Sequence, residues 1–95
     1  MGCIDSRIER RYGERGKKLY SICDVATSVE NMLLLAYEQG LGSCWVGAFD
    51  EKKVSRILNL TGNLRPIAIV PIGFSAEKPL SPPRVSKTEA MEILK

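Results

Sequence analysis

The most extended hydrophobic pattern in the chain lies over residues 24–39 and predicts a helix. Asp24 can cap its start by accepting from free N–H groups, and Gly40 can end it in the left-handed conformation. A helix that is apolar on nearly all sides is normally buried, so we expect it between the core and a partner subunit. The main stripe consists of Val25, Val29, Met32, Leu33 and Ala36, and Leu34 and Leu35 widen it.

A second, shorter amphipathic pattern covers residues 50–62 and predicts another helix. Asp50 is placed to cap it, Gly62 lies near its end, and Val54, Ile57 and Leu58 form the expected inward stripe. Residues 66–74 then form an unbroken apolar run that is rich in β-branched residues. This run predicts a strand covered on both faces, with Pro71 placing it near an edge or a bulge.

The remaining segments complete a single partial domain over residues 1–95. Residues 1–23 are predicted as the end of a strand followed by a basic connection, and residues 40–49 as a turn. Residues 75–95 are predicted as an extended tail with a short helix, for which Ser86 and Glu89 can form a capping box. The fold class is therefore α+β, of α/β type.

The predicted sheet is too small to be complete within one chain. Its strands would come from residues 1–4, 43–46 and 66–73, which leaves exposed edges of the kind that natural sheets avoid. We therefore expect the helices to pack on a small sheet that is completed by oligomerisation or by a part of the protein not represented here.

Charge is concentrated near the start of the chain. Residues 7–18 hold six Lys or Arg and two Glu, which gives this segment a net charge of +4. Since the whole chain has a net charge of +3, the remainder carries about −1. Such a segment can bind nucleic acid through phosphate contacts. The interspersed Glu9 and Glu14 and two glycines favour a solvated connection instead, and nucleic-acid binding is the less favoured interpretation.

Composition also restricts the chemistry. The chain has no histidine, which excludes a Ser-His-Asp triad, a Cys-His pair and a histidine-rich metal site. Cys3, Cys23 and Cys44 are widely spaced and predict reduced thiols without a metal site. No uninterrupted apolar run approaches the roughly 20 residues that span a bilayer, and the start has no signal-peptide core, so we expect a cytoplasmic protein.

The turn sequence "GLGSCWVGAF", residues 40–49, combines three glycines with the single tryptophan. It could simply connect two elements, or its backbone could lie against a flat ligand. Taken with its surroundings, it resembles the C-terminal half of the nitroreductase-like family of FMN-dependent oxidoreductases. The resemblance is carried by Asp24, Asn31, "GLGSCWVGAF", "PIGF" and "PPR", in family order and spacing between residues 12 and 84.

The resemblance implies an FMN site built from backbone rather than from catalytic side chains. Trp45, Val46, Gly47 and Ala48 match the segment whose N–H reaches the flavin N5, and Arg84 matches a cation that binds the FMN phosphate. Gly47 lacks a Cβ that would hold the backbone away from a ring. Where some members have a lysine two positions before that arginine, this chain has Pro82.

Other residues of the motif also have ordinary structural explanations. Asp24 is explained as a cap, Asn31 as the partner of a backbone or interface group, and Cys44 as packing in an apolar turn. Trp45 is equally well explained as a core or interface aromatic residue.

The implied activity is hydride transfer from NAD(P)H through FMN to a nitroaromatic or quinone acceptor, as in the family's nitroreductases and NADH oxidases. The resemblance also implies a homodimer or higher oligomer. The family's N-terminal phosphate-binding segment has no counterpart in residues 1–95. The alternative is therefore a non-catalytic remnant or partial subunit that binds flavin weakly or not at all and needs a separate N-terminal half.

Overall fold

The computed structural model describes the backbone of residues 1–95 and the side chains of residues 1–2 and 8–95. The side chain of Cys3 lies outside the described set. A π-helical turn, Gly16–Tyr20, joins the first two helices. In chain order the elements are β1 (Gly2–Ile4), α1 (Asp5–Arg15), α2 (Ser21–Glu38), β2 (Gly42–Ser43), α3 (Glu51–Ile57), β3 (Leu64–Pro66), β4 (Ile72–Gly73) and α4 (Lys87–Ala90).

Most described side chains of the basic segment 7–18 are exposed to solvent, as predicted, but its backbone is helical, so the prediction of a loop is wrong. Its glutamates, which suggested a loop, pair with lysines one or two helical turns away: Glu14 with Lys18 at 3.5 Å and Glu9 with Lys17 at 3.8 Å. Gly13, with φ 65° and ψ −151°, interrupts the helix with a kink.

Helix α2 begins at Ser21, three residues before the predicted start, because the preceding π-helical turn delivers a backbone that is already helical. Asp24 therefore lies within the first turn of α2, and its predicted role as the N-cap is wrong. The end of the helix agrees with the prediction. Gly40 has φ 76°, and Leu41 N–H donates to the Ala36 carbonyl at 2.9 Å.

The strands form two separate antiparallel ladders rather than one sheet. β1 pairs with β3 and β2 pairs with β4. The predicted continuous strand over residues 66–74 is divided because Pro66 and Pro71 have no N–H to donate to a ladder. Between the two strands, Ile69 makes an isolated bridge to Val46. The prediction that this run is covered on both faces is also wrong, since Ile69 is exposed.

Both short helices have the predicted caps. The Asp50 side chain accepts from Lys53 N–H at 3.1 Å, and Ser86 and Glu89 form the reciprocal capping box of α4. Helix α3 ends at Ile57, earlier than predicted, and Asn59 follows with a left-handed φ of 52°. Ile57 and Leu58 are exposed, so the predicted inward stripe of this helix is wrong beyond the half-buried Val54.

The core is small and centres on α2. Among the described side chains the buried apolar residues are Val25, Val29, Ala36 and Ala68. Leu34, on the second apolar face of α2, is 61% exposed, and Phe74 in the tail is 92% exposed. The radius of gyration is 16.8 Å, against about 12 Å for a compact domain of this length. The chain therefore leaves apolar side chains of α2 and of the segments after β3 exposed to solvent.

The helical run Ile8–Glu38, 31 residues long, satisfies the length and composition test for a membrane-spanning helix. Core helices of soluble proteins satisfy the same test, so the run is weak evidence for a membrane location.

Candidate functional site

The turn after α2 is held in place by backbone pairing to the opposite segment. β2 and β4 align Gly42 with Gly73 and Ser43 with Ile72. Val46 and Ile69 then exchange both of their backbone hydrogen bonds, each at 2.9 Å. These contacts fix the path of residues 42–46, so the backbone that follows leaves from a defined position.

The indole of Trp45 lies against Gly47. A Cβ added to Gly47 would approach Trp45 Nε1 to 2.7 Å, closer than real side chains come to one another. A side chain at this position would therefore force the indole to move. The contact with Trp45 gives a reason for a glycine at position 47 that involves no ligand. The sequence alone suggested a different reason, the close approach of a flavin ring.

The backbone donors that follow Val46 have no acceptor among the described residues. Val46 N–H is used by Ile69, but no described atom accepts a hydrogen bond from the N–H of Gly47 or Ala48. Neither residue is buried, so both groups can reach a ligand. Of the four residues predicted to bind flavin in this turn, Val46 alone uses its N–H within the described part of the chain, and the N–H of Trp45 has no acceptor there either.

The side chains of the motif in α2 and the turn are exposed. Asp24 and Asn31 both lie on exposed positions of α2. Cys44 is a free thiol whose Sγ–H donates to the Trp45 carbonyl at 3.5 Å, and Cys23 is also free. In the described part of the chain, no group of three or more acidic, cysteine or histidine side chains could hold a metal ion.

Arg84 lies in the extended tail between β4 and α4 and is exposed. No described residue forms a hydrogen bond or an ion pair with its guanidinium. No hydrogen bond or ion pair to a described residue therefore holds Arg84 at the Trp45 turn, and its donors are available to a ligand or to another chain.

An open groove of about 1190 Å³ lies next to the turn, between the end of α2 and the segment that follows Pro71. Residues 45–48 do not line it, so the groove and the backbone donors of the turn are distinct surfaces. Its apolar lining includes Leu33, Tyr37, Leu41, Ile72 and Phe74.

Sequence reasoning did not identify Ile69 as the residue that anchors the turn. Its signal is present in the apolar run after Pro66, but a run apolar at every position does not indicate which residue pairs with which strand. The same reasoning missed the ion pair that Arg65 makes with Glu51, in which Nη2 and Oε1 are 3.1 Å apart.

Comparisons with known proteins find relatives in one family. The model of the Nitroreductase family matches residues 4–74. A Methanothermobacter thermautotrophicus protein named "Putative NADH dehydrogenase/NAD(P)H nitroreductase" is 30% identical over 81 residues, which cover 81% of this chain and 39% of that protein.

Two solved structures share the fold. A nitroreductase family protein from Streptococcus pneumoniae aligns with a TM-score of 0.80 and 27% identity, covering 88% of this chain and 42% of that one. A nitroreductase family protein from Clostridium difficile aligns with a TM-score of 0.69 and 31% identity, covering 76% and 45%. The chain thus spans less than half the length of each of these three relatives.

Proposed function

Because the chain belongs to the nitroreductase family, we propose that it forms the flavin-side part of an FMN-dependent oxidoreductase that uses NAD(P)H. It corresponds to the C-terminal half of such an enzyme, and the electron acceptor is an electron-poor nitroaromatic or quinone. The proposed location of the protein is the cytoplasm, where free thiols such as those of Cys23 and Cys44 remain reduced.

The observation that carries this proposal is the arrangement of backbone donors in the turn. The Val46–Ile69 pair fixes the backbone, and the next two N–H groups, at Gly47 and Ala48, have no acceptor among the described atoms. Unpaired N–H groups next to this backbone bridge can donate hydrogen bonds to the nitrogen and oxygen acceptors at the edge of a flavin ring. FMN, when bound, supplies the ring nitrogen that accepts and releases hydride.

The other candidate residues have supporting roles. Val46 positions the two donors through its backbone bridge to Ile69, and the Trp45 indole lies against Gly47. Arg84 offers a planar guanidinium suited to bidentate binding of a phosphate. Since the chain does not hold Arg84 at the turn, we propose that the arrangement is completed in an oligomer, most simply a homodimer.

Titration of the purified chain with FMN, followed by visible absorption, tests this function. We expect a saturable change in the flavin band, weakened by Arg84→Ala but not by the matched control Arg56→Ala on α3, whose arginine is also exposed. NAD(P)H oxidation with a nitroaromatic acceptor should then depend on the amount of bound FMN. A folded chain that leaves the flavin spectrum unchanged would rule the proposal out.

A second function is favoured by the exposed apolar surface of α2 and the tail, and by the coverage of less than half of the Methanothermobacter, Streptococcus and Clostridium relatives. In this alternative the chain is a partial subunit that has no activity by itself and needs the remaining family segment to bind flavin. Absence of FMN uptake by the isolated chain, together with uptake after mixing with that segment, would distinguish it from the first proposal.

A further inference from the structure

The charges of residues 8–20 are not all neutralised within the helix. Both lysines of this segment are paired with glutamates, but no described carboxylate pairs with Arg11 or Arg15. Glu9 and Glu14 are therefore already paired with lysines, and the positive charge that remains unpaired is carried by arginines. The occupied pairs are Lys17–Glu9 and Lys18–Glu14.

The two arginines are held by tyrosines. Arg11 Cζ lies 5.5 Å from the centre of the Tyr12 ring, and Arg15 Cζ lies 5.5 Å from the centre of the Tyr20 ring. The rings contact each other edge to face, with centroids 5.6 Å apart, and Arg15 Nε donates to the Tyr20 hydroxyl at 3.2 Å. We call these four residues the arginine–tyrosine cluster.

The backbone places this cluster on an irregular part of the helix. Gly13 introduces the kink between Tyr12 and Arg15, and the π-helical turn that follows ends at Tyr20. Short π-helical segments occur frequently at functional sites. Apart from the bond of Arg15 Nε to the Tyr20 hydroxyl, no described residue accepts a hydrogen bond from either guanidinium, so the cluster presents donors beside aromatic rings before any ligand arrives.

We propose that the arginine–tyrosine cluster binds the phosphate of a free nucleotide. The guanidinium edges of Arg11 and Arg15 are the phosphate donors, and the ring of Tyr12, which is 50% exposed, is the surface on which the base stacks. The proposal stands independently of flavin binding at residues 45–48, because it uses none of the atoms of that turn.

The surroundings of the cluster favour a single nucleotide over a nucleic-acid strand. The carboxylates of Glu9 and Glu14 lie on the same kinked helix and are exposed beside their lysines. A continuing phosphate backbone would have to pass these carboxylates, whereas one nucleotide needs only the two guanidiniums and one ring.

Isothermal titration calorimetry of the full chain with adenosine 2′,5′-bisphosphate tests the proposal. We expect saturable binding whose Kd rises about tenfold or more in the variant Arg11→Gln/Arg15→Gln, because two charge-assisted contacts are lost. Arg56→Gln, which removes one exposed arginine from α3, is the matched control and should leave the Kd unchanged. Far-UV circular dichroism confirms that each variant keeps its helices.

A second variant separates the contribution of the planar guanidinium group from that of its positive charge. Arg11→Lys/Arg15→Lys preserves the charge and the helix propensity but lacks the planar fork, so its affinity should fall between those of the native chain and the glutamine variant. An unchanged Kd in the glutamine variant would overturn the proposal, as would lysine variants that bind as tightly as the native chain. Tighter binding of a short single-stranded oligodeoxynucleotide than of the bisphosphate would also overturn it.

Discussion

Replacement of Gly47 by alanine should displace the Trp45 indole and weaken flavin binding together. The new Cβ would lie 2.7 Å from Trp45 Nε1, a separation that the two groups cannot keep. Overpacking of this kind costs about 1–3 kcal/mol. Trp45 is 39% exposed and can swing outward, and complete loss of its packing would cost about 3 kcal/mol at roughly 25 cal/mol per Å² of buried surface.

The matched control is Gly62→Ala, because a Cβ at Gly62 meets no atom within 4 Å and its φ is not positive. This change should alter stability by no more than about 1 kcal/mol, chiefly through the unfolded chain. Since Trp45 is the only tryptophan, intrinsic fluorescence reports directly on the indole. Urea denaturation gives the stability of each variant, and titration with FMN gives its affinity.

We expect Gly47→Ala to shift the Trp45 emission to longer wavelength, to increase its quenching by iodide and to raise the Kd for FMN about tenfold. In a Trp45→Ala background the same alanine should cost much less stability, because the atom with which it collides is absent. The reasoning is refuted if Gly47→Ala and Gly62→Ala have the same emission and the same stability, or if the cost persists without the indole.

Three further predictions concern the scaffold, and urea denaturation measures each. Asp50→Ala should cost about 1 kcal/mol by removing the cap of α3, whereas Asp50→Asn should retain most of that stability. Val29→Ala, at a fully buried position, should cost about 2 kcal/mol, against little change for Leu34→Ala in the monomer. Glu51→Gln should cost about 0.2–1 kcal/mol in low salt, and Arg65→Gln more, because Arg65 has interactions besides that pair; equal costs would contradict the last statement.

The parts of the fold that could be predicted from the sequence are those decided by local chemistry. The caps at Asp50 and Ser86 and the left-handed end of α2 at Gly40 each depend on a few neighbouring residues, and each is present in the structure. The start of α2 was mispredicted because a capping residue at Asp24 was visible, while the helical backbone entering from Tyr20 was not.

The division of the 66–74 run and the pairing of the turn depend on contacts distant in sequence. Pro71 indicated an edge or a bulge, but the Val46–Ile69 bridge joins residues 23 positions apart, and no local pattern specifies that register. Similarly, the apolar periodicity of α3 predicted that Ile57 faces inward, but Ile57 is exposed. Periodicity identifies the apolar face of a helix and does not show whether another element of the chain packs against it. The flavin-binding residues 45–48 and Arg84 remain a prediction from the family resemblance.

Amide hydrogen exchange measured by NMR, residue by residue and with and without FMN, tests the central claim most directly. The Val46 amide should exchange slowly in both states, because its N–H is already bonded to the Ile69 carbonyl. The Gly47 and Ala48 amides should exchange rapidly in the free chain, then shift and become protected when FMN is added. Flavin that binds without changing these two amides, or that instead perturbs the groove lined by Leu33 and Ile72, would contradict the account.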